Sequence, residues 1–421
     1  MITASSSPVA TDQTPLSPAV RLTAVSAVTA LFFMWGFLTV LNDILLPHLK
    51  SVFNLNYTEA SLIQFCFFGA YFIMSLPSGI VVAKLGYQKG MVIGLAVTGL
   101  GAWLFFPAAT LLSYPLFLGA LFVLASGITL LQVAANPYIS ALGNPATASS
   151  RLNLAQAFNS LGTAIAPRIG GWLILSTAAA AATSKLAEAS SVRIPYLALG
   201  LIAFIMAGTM AVLRLPVLEA VEEDHSHHPS AFAALIAALK VRHLALAVVG
   251  IFVYVGAEVS IGSYLINYLG LPNIEKFSAA VAATYVTYYW TGAMIGRFIG
   301  SAIMQKVAPH LVLGFNALIA TALCLVGLFL SGHVAAGAVI AIGFFNSIMF
   351  PTIFTLGIAK LGHLTSQGSS LLIMAIVGGA LLPTLMGRTA DAWGLQLAMI
   401  IPAVCYVYIA LYAFFGSQPN K

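Results

Sequence analysis

The sequence predicts an all-α membrane protein of twelve transmembrane helices in two six-helix bundles. Three observations predict it. Of 421 residues, 60% are hydrophobic and only 7% charged, where a soluble domain carries roughly a quarter charged residues. The apolar residues fall in long unbroken runs that supply about a dozen spans of ~20 residues, and the mean hydropathy is +1.00. One long polar stretch, 215–242, divides those runs six and six. So few charges cannot coat a surface in water, which excludes a soluble enzyme, a nucleic-acid-binding protein and a disordered chain. A membrane β-barrel would alternate polar and apolar residues in short segments, and the runs do not alternate.

Residues 1–20 are rich in Ser, Thr and Pro and read as a disordered cytoplasmic tail. The run after Arg21 is too long for a signal-peptide core. The expected N-terminal bundle, 21–214, holds runs at 22–47, 58–83, 90–109, 113–142, 152–176 and 195–214. The linker, 215–242, carries Glu219, Glu222, Glu223 and Asp224, then His225, His227 and His228. Between Ser230 and Lys240 it turns apolar and reads as a short interfacial helix. The expected C-terminal bundle, 243–421, holds runs at 244–269, 278–305, 311–331, 334–358, 368–390 and 395–415. The linker histidines have no cysteine partners and no distant second pair, so they read as solvated polar residues. Cys66, Cys324 and Cys405 lie inside apolar runs and read as small buried hydrophobes. No metal site is expected.

Orientation follows from the basic residues. With the N-terminus inside, Arg21, Lys84, Lys89, Arg151, Arg214, Lys240, Arg242, Lys306, Lys360 and Lys421 lie inside. Lys50, Lys185, Arg193, Lys276 and Arg388 lie outside, and Arg168 and Arg297 fall within runs. That excess places both termini in the cytoplasm.

Polar groups inside the runs mark the candidate site. Asp43 in the first run and Glu258 in the seventh are intramembrane carboxylates, which are costly against lipid and call for a wet cavity or a partner. Gln132 and Asn136 are four apart on one helix face. Asn153, Gln156 and Asn159 step down the fifth run, and Asn346 lies in the tenth. An amide both donates and accepts, which suits sugar hydroxyls. Trp35, Tyr285, Tyr288, Tyr289 and Trp290 offer faces for a sugar ring, with Trp290, in mid-run, the first choice. Pro77, Pro137, Pro167, Pro351 and Pro383 read as ordinary kinks. No Ser/His/Asp constellation, nucleotide loop or zinc spacing is present, so neither an enzyme nor a cofactor is expected.

Several stretches together resemble the fucose/glucose–galactose permease branch of the major facilitator superfamily. They are Trp35-Gly36, Asn42-Asp43-Ile44-Leu45, Lys50-Ser51-Val52-Phe53, Gln64, Tyr71-Phe72, Ala134-Ala135-Asn136, Arg151-Leu152-Asn153 with Gln156, and Met374-Ala375-Ile376-Val377-Gly378 with Pro383. The stretch from Asn346 to Phe354 is similar to the glucose/galactose subgroup. The resemblance implies a multi-pass transporter of a bacterial inner membrane. It implies import of a monosaccharide, coupled to a cation, by alternating access of a single chain. It makes Asp43 the coupling carboxylate. Gln132 stands where the fucose members carry a second acid, so coupling falls to Asp43, to Glu258 or to another ion. Asp43, flanked by Asn42 and joined by Gln64 and Gln132, would offer oxygen ligands for Na+, and both H+ and Na+ stay open. The superfamily's loop motif appears as Gly79-Ile-Val-Val-Ala83-Lys84-Leu85-Gly86-Tyr87-Gln88-Lys89, with Ala83 in place of its usual acid. The charge latch of that loop should therefore be weakened or replaced. An uncoupled facilitator or channel, and a sugar sensor built on a transporter, are the competing readings.

Overall fold

The computed structural model describes residues 18–53, 57–170, 193–216 and 231–419, with side chains described except at 18–19, 40–52, 57–61, 167–170 and 231–232. Asn42 and Asp43 thus keep a backbone in a helix, but their side chains lie outside the described residues, as does the 217–230 stretch with its histidines.

The described elements are helices. They run α1 (Pro18–Phe53), α2 (Tyr57–Leu85), α3 (Tyr87–Thr110), α4 (Tyr114–Ala141), α5 (Ala148–Gly170) and α6 (Arg193–Val212). After the short α7 (Ala231–Lys240) come α8 (Arg242–Leu269), α9 (Ala279–Ile303) and α10 (Pro309–Phe329). The last three crossings are broken rods. They are α11 (Gly332–Asn346) with α12 (Met349–Gly357), α13 (Thr365–Met374) with α14 (Gly378–Trp393), and α15 (Leu395–Ala398) with α16 (Ile400–Leu411). Among the described residues, ten stretches are long and apolar enough to cross a membrane. The two long helices that fall short are α5 and α9. Arg151, Asn153, Gln156 and Asn159 dilute the first, and the tyrosines and Arg297 dilute the second. Counting both gives the twelve expected crossings. The helix expected within the linker corresponds to α7.

Local chemistry sets the helix ends. Gly86 alone separates α2 from α3 at φ +83°, a backbone region that only glycine enters freely. Pro115 and Pro309 sit in the first turns of α4 and α10, where the missing N–H costs nothing. Ser278 caps α9 by accepting from the Val281 N–H. Inside the first six helices, α3 and α4 approach so closely that a Cβ at Gly94, Gly101 or Gly127 would strike the facing backbone. Small residues at such crossings are how helices associate in lipid, where apolar burial gives no net drive. The cysteines are free, with Cys324 and Cys405 buried and Cys66 half-buried.

The crossings α1–α6 pack mostly on one another, and so do α8–α16. These sets are called here the first and second halves. They meet along two lines, α5 against α9 and α12, and α13 against α2 and α4. By crossing number, these lines join the fifth to the eighth and the second to the eleventh. Adding six to each member turns one line into the other, as two parallel repeats about a twofold axis require.

Candidate functional site

The polar residues of the spans gather beside those two lines. In the first half, Gln132 Nε2 on α4 donates to Tyr71 Oη on α2 at 2.8 Å. In the second, Asn346 Nδ2 on α11 donates to Tyr289 Oη on α9 at 2.8 Å and to Tyr406 Oη on α16 at 3.1 Å. Gln132 and Asn346 each stand five residues before a proline, Pro137 and Pro351, in the fourth and tenth crossings. Each bonds a tyrosine of the second or eighth. The halves therefore repeat one device, an amide held by a phenol.

Proline gives each device a second part. It lacks the N–H that would bond the carbonyl four residues back, and so frees that carbonyl. Pro137 frees Val133, whose oxygen accepts from Ser369 Oγ of α13 at 2.9 Å. Pro351 frees Ser347, whose oxygen accepts from Arg297 Nε of α9 at 3.0 Å. These two prolines do more than kink their helices. Each opens a carbonyl that a side chain from another crossing fills.

Arg297 is the centre of the second half's cluster. It is 9% exposed, and its guanidinium reaches across the seam. Nη1 donates to Gln156 O at 3.2 Å and to Ser160 Oγ at 2.6 Å, both on α5. Nη2 lies 3.8 Å from Glu258 Oε1, an ion pair too long to be a direct hydrogen bond. Tyr254 Oη donates to the same carboxylate oxygen at 2.8 Å. Glu258 thus has the partner that an intramembrane acid needs.

The other expected residues differ in how far they are engaged. Asn136 is fully buried, and neither its amide nitrogen nor its oxygen has a partner; Asn346 Oδ1 and Asn153 Oδ1 are likewise unpaired. Asn153 Nδ2 reaches Thr352 Oγ1 of α12 across the seam at 3.2 Å. Gln156 is buried. Asn159 Nδ2 donates to Phe32 O of α1 at 2.9 Å, so its amide ties α5 to α1. Gln64 is half-buried on α2. Trp290 is 37% exposed; it lies edge-on to Tyr289 at 5.1 Å and over Gly262. Trp35 packs on Phe32 with centroids 4.1 Å apart. Among the described residues, no group of His, Cys, Asp and Glu could hold a metal ion.

Beyond this cluster the seam closes on the linker side, where α4 ends and α5, α8 and α13 begin. Ser149 Oγ and Thr355 Oγ1 share a hydrogen bond at 2.6 Å. Ser150 Oγ donates to Ser301 O at 2.7 Å, and Ser301 Oγ donates back to Ser150 O at 2.8 Å. Gly79 of the loop motif lets α2 lie against Ser370 and the Ser366 backbone, and a Cβ there would collide. Ala83 is exposed. Hydroxyls and close backbone contact hold this end where the loop motif would carry an acid.

Sequence reasoning missed Arg297, Tyr71, Tyr254, Tyr406 and Ser369. The cost that flagged Asp43 and Glu258 applies equally to a cation inside a run, so Arg297 could have been found. Pro137 pointed to a freed carbonyl, but not to the serine that fills it.

The Major Facilitator Superfamily model matches residues 24–376. The chain is 54% identical over 395 residues to the glucose/galactose transporter of Brucella abortus, covering 94% of each chain. It is 40% identical over 403 residues to the L-fucose-proton symporter of Escherichia coli, covering 92% of each. The crystal structure of FucP in the outward conformation superposes with a TM-score of 0.88 at 38% identity, over 95% of this chain and 100% of that one.

Proposed function

The chain belongs to the Major Facilitator Superfamily, and from that premise we propose that it imports a hexose of the glucose or galactose kind, coupled to a cation, by alternating access of its two halves. It is a transporter and not an enzyme. The observation that carries the substrate class is unspent hydrogen-bonding capacity beside the seam. Both polar atoms of Asn136, and Asn346 Oδ1, are buried without partners. A buried polar group left unmade costs about 1–3 kcal/mol, and sugar hydroxyls donate and accept in the pattern these amides lack. Gln132, Asn136, Gln156, Asn159, Glu258 and Asn346 form the hexose site, with Trp290 as the stacking face. The higher identity to the glucose/galactose transporter, 54% against 40% to the fucose symporter, supports glucose or galactose over fucose.

Asp43 is the coupling carboxylate, and Asn42 and Gln64 complete its ion site. The proton is the coupling ion we propose, supported by the proton symporter among the relatives, with Na+ as the alternative arm of the test. No cofactor takes part. The organisation is a tail (1–20), an N-terminal bundle (21–214), a cytoplasmic linker (215–242) and a C-terminal bundle (243–421). The protein works as a single chain in a bacterial inner membrane with both termini in the cytoplasm. The linker end of the seam is then the inner gate, shut here.

The test is uptake into proteoliposomes of a labelled panel of glucose, galactose, mannose, fucose and N-acetylglucosamine, with proton and Na+ gradients imposed separately. Accumulation of glucose or galactose above equilibrium under the proton gradient is the expected result. Accumulation under Na+ alone reassigns the ion. Equilibration without accumulation or counterflow overshoot makes the protein a channel.

A further inference from the structure

We propose that Arg297 is the switch of the inner gate, a guanidinium that passes between α5 when the gate is shut and Glu258 when it opens. This rests on the alternating-access reading above. Arg297 belongs to the second half, and it is anchored there by Ser347 O, the carbonyl that Pro351 leaves free. Two more of its bonds cross to the first half, at Gln156 O and Ser160 Oγ. Separation of α5 from α9 must break both. A guanidinium stripped of buried partners is costly, so opening needs a receiver. Glu258 stands 3.8 Å away, one small movement short of a direct bond, and Tyr254 steadies its carboxylate. The anchor stays, and only the outer arm changes hands.

The equivalent crossing of the other line shows that packing alone does not need an arginine. Tyr71 of α2 corresponds to Tyr289 of α9 through their shared amide partners, and eight residues on from each stand Gly79 and Arg297. Gly79 closes its crossing by bare backbone approach to α13. The same place in α9 carries a charge that must be satisfied in both states.

The proposal gives two substitutions opposite signs. Ser160→Ala removes an acceptor that the guanidinium uses only in the shut state, and so favours the open gate. Glu258→Gln weakens the receiver used in the open state, and so favours the shut gate. Hydrogen bonds to charged groups are strong enough that each shift should be roughly tenfold or more in the open-to-shut ratio. The ratio is read by double electron–electron resonance between spin labels at Lys84→Cys and Lys306→Cys. Both positions are exposed at the linker ends of α2 and α9. The sugar-free, full-length protein is used, with Cys66, Cys324 and Cys405 replaced by alanine. Glu258→Asp, which keeps the charge, should recover part of the shift. Opposite shifts from Ser160→Ala and Glu258→Gln support the switch. No shift, or shifts of the same sign, makes Arg297 a static brace and overturns it. The wild-type protein with hexose added separates the two levels: if its labels move while the variants match wild type, the transport reading survives and the switch does not.

Discussion

Removing the Ser369 hydroxyl should open the inner gate without touching the sugar site. In the shut seam, Ser369 Oγ donates to Val133 O at 2.9 Å, and Pro137 has removed the only backbone donor that the carbonyl would otherwise find. Ser369 is fully buried. Ser369→Ala therefore leaves a buried acceptor unmade, at a cost of about 1–3 kcal/mol, or roughly five- to 150-fold. The penalty falls on the shut state alone, because parting α13 from α4 admits water to the carbonyl. The spin-label pair at positions 84 and 306 measures the result as a rise in the long-distance population of at least roughly fivefold. Ser370→Ala is the control. Its Oγ bonds only Ser366 O of its own helix, at 3.0 Å, and alanine keeps the Cβ that faces Gly79. If the distance distribution of Ser369→Ala coincides with wild type and Ser370→Ala in folded protein, the freed carbonyl contributes nothing to the gate and the reasoning is wrong.

Asp43→Asn should still bind hexose and exchange it across the membrane, yet fail to concentrate it, because the driving ion has lost its site; uphill accumulation at wild-type level would make Asp43 structural. Asn136→Ala should weaken hexose binding by roughly five- to 150-fold, measured calorimetrically; unchanged affinity would remove Asn136 from the site and leave an amide buried for no gain. A thiol at Ser226→Cys should resist an impermeant reagent applied outside intact cells, and labelling there would invert the topology drawn from the basic residues.

The crossings were legible because lipid demands apolar length, and length is written residue by residue. Even α5 and α9, diluted by amides, tyrosines and arginines, could be read as runs. The internal repeat was not legible as identity. It survives as a spacing, amide to proline over five residues, with Gln132 in one half and Asn346 in the other. Its tyrosine partners, Tyr71 and Tyr289, lie far off in the chain and look like any other aromatic in a membrane helix. Amide positions in the site were legible, since a polar side chain in a run invites a reason. Their engagement was not: Asn159 bonds a carbonyl of α1 and Asn136 bonds nothing, and only packing decides between them. Arg297 was set aside as a misfit in the orientation count, although burying it costs as much as burying an acid.

The neutral seam at the linker end has a consequence for the environment the protein tolerates. Where an exposed carboxylate–cation latch holds a gate, dissolved ions dilute its attraction over a Debye length of about 8 Å at physiological strength. Here the pairs Ser149–Thr355 and Ser150–Ser301, and the serine on Val133, carry no net charge to dilute. The charged contact, Arg297 with Glu258, is largely buried, its two side chains 11% and 14% exposed, and buried pairs are screened less than exposed ones. The hold of this seam should therefore change little with ionic strength.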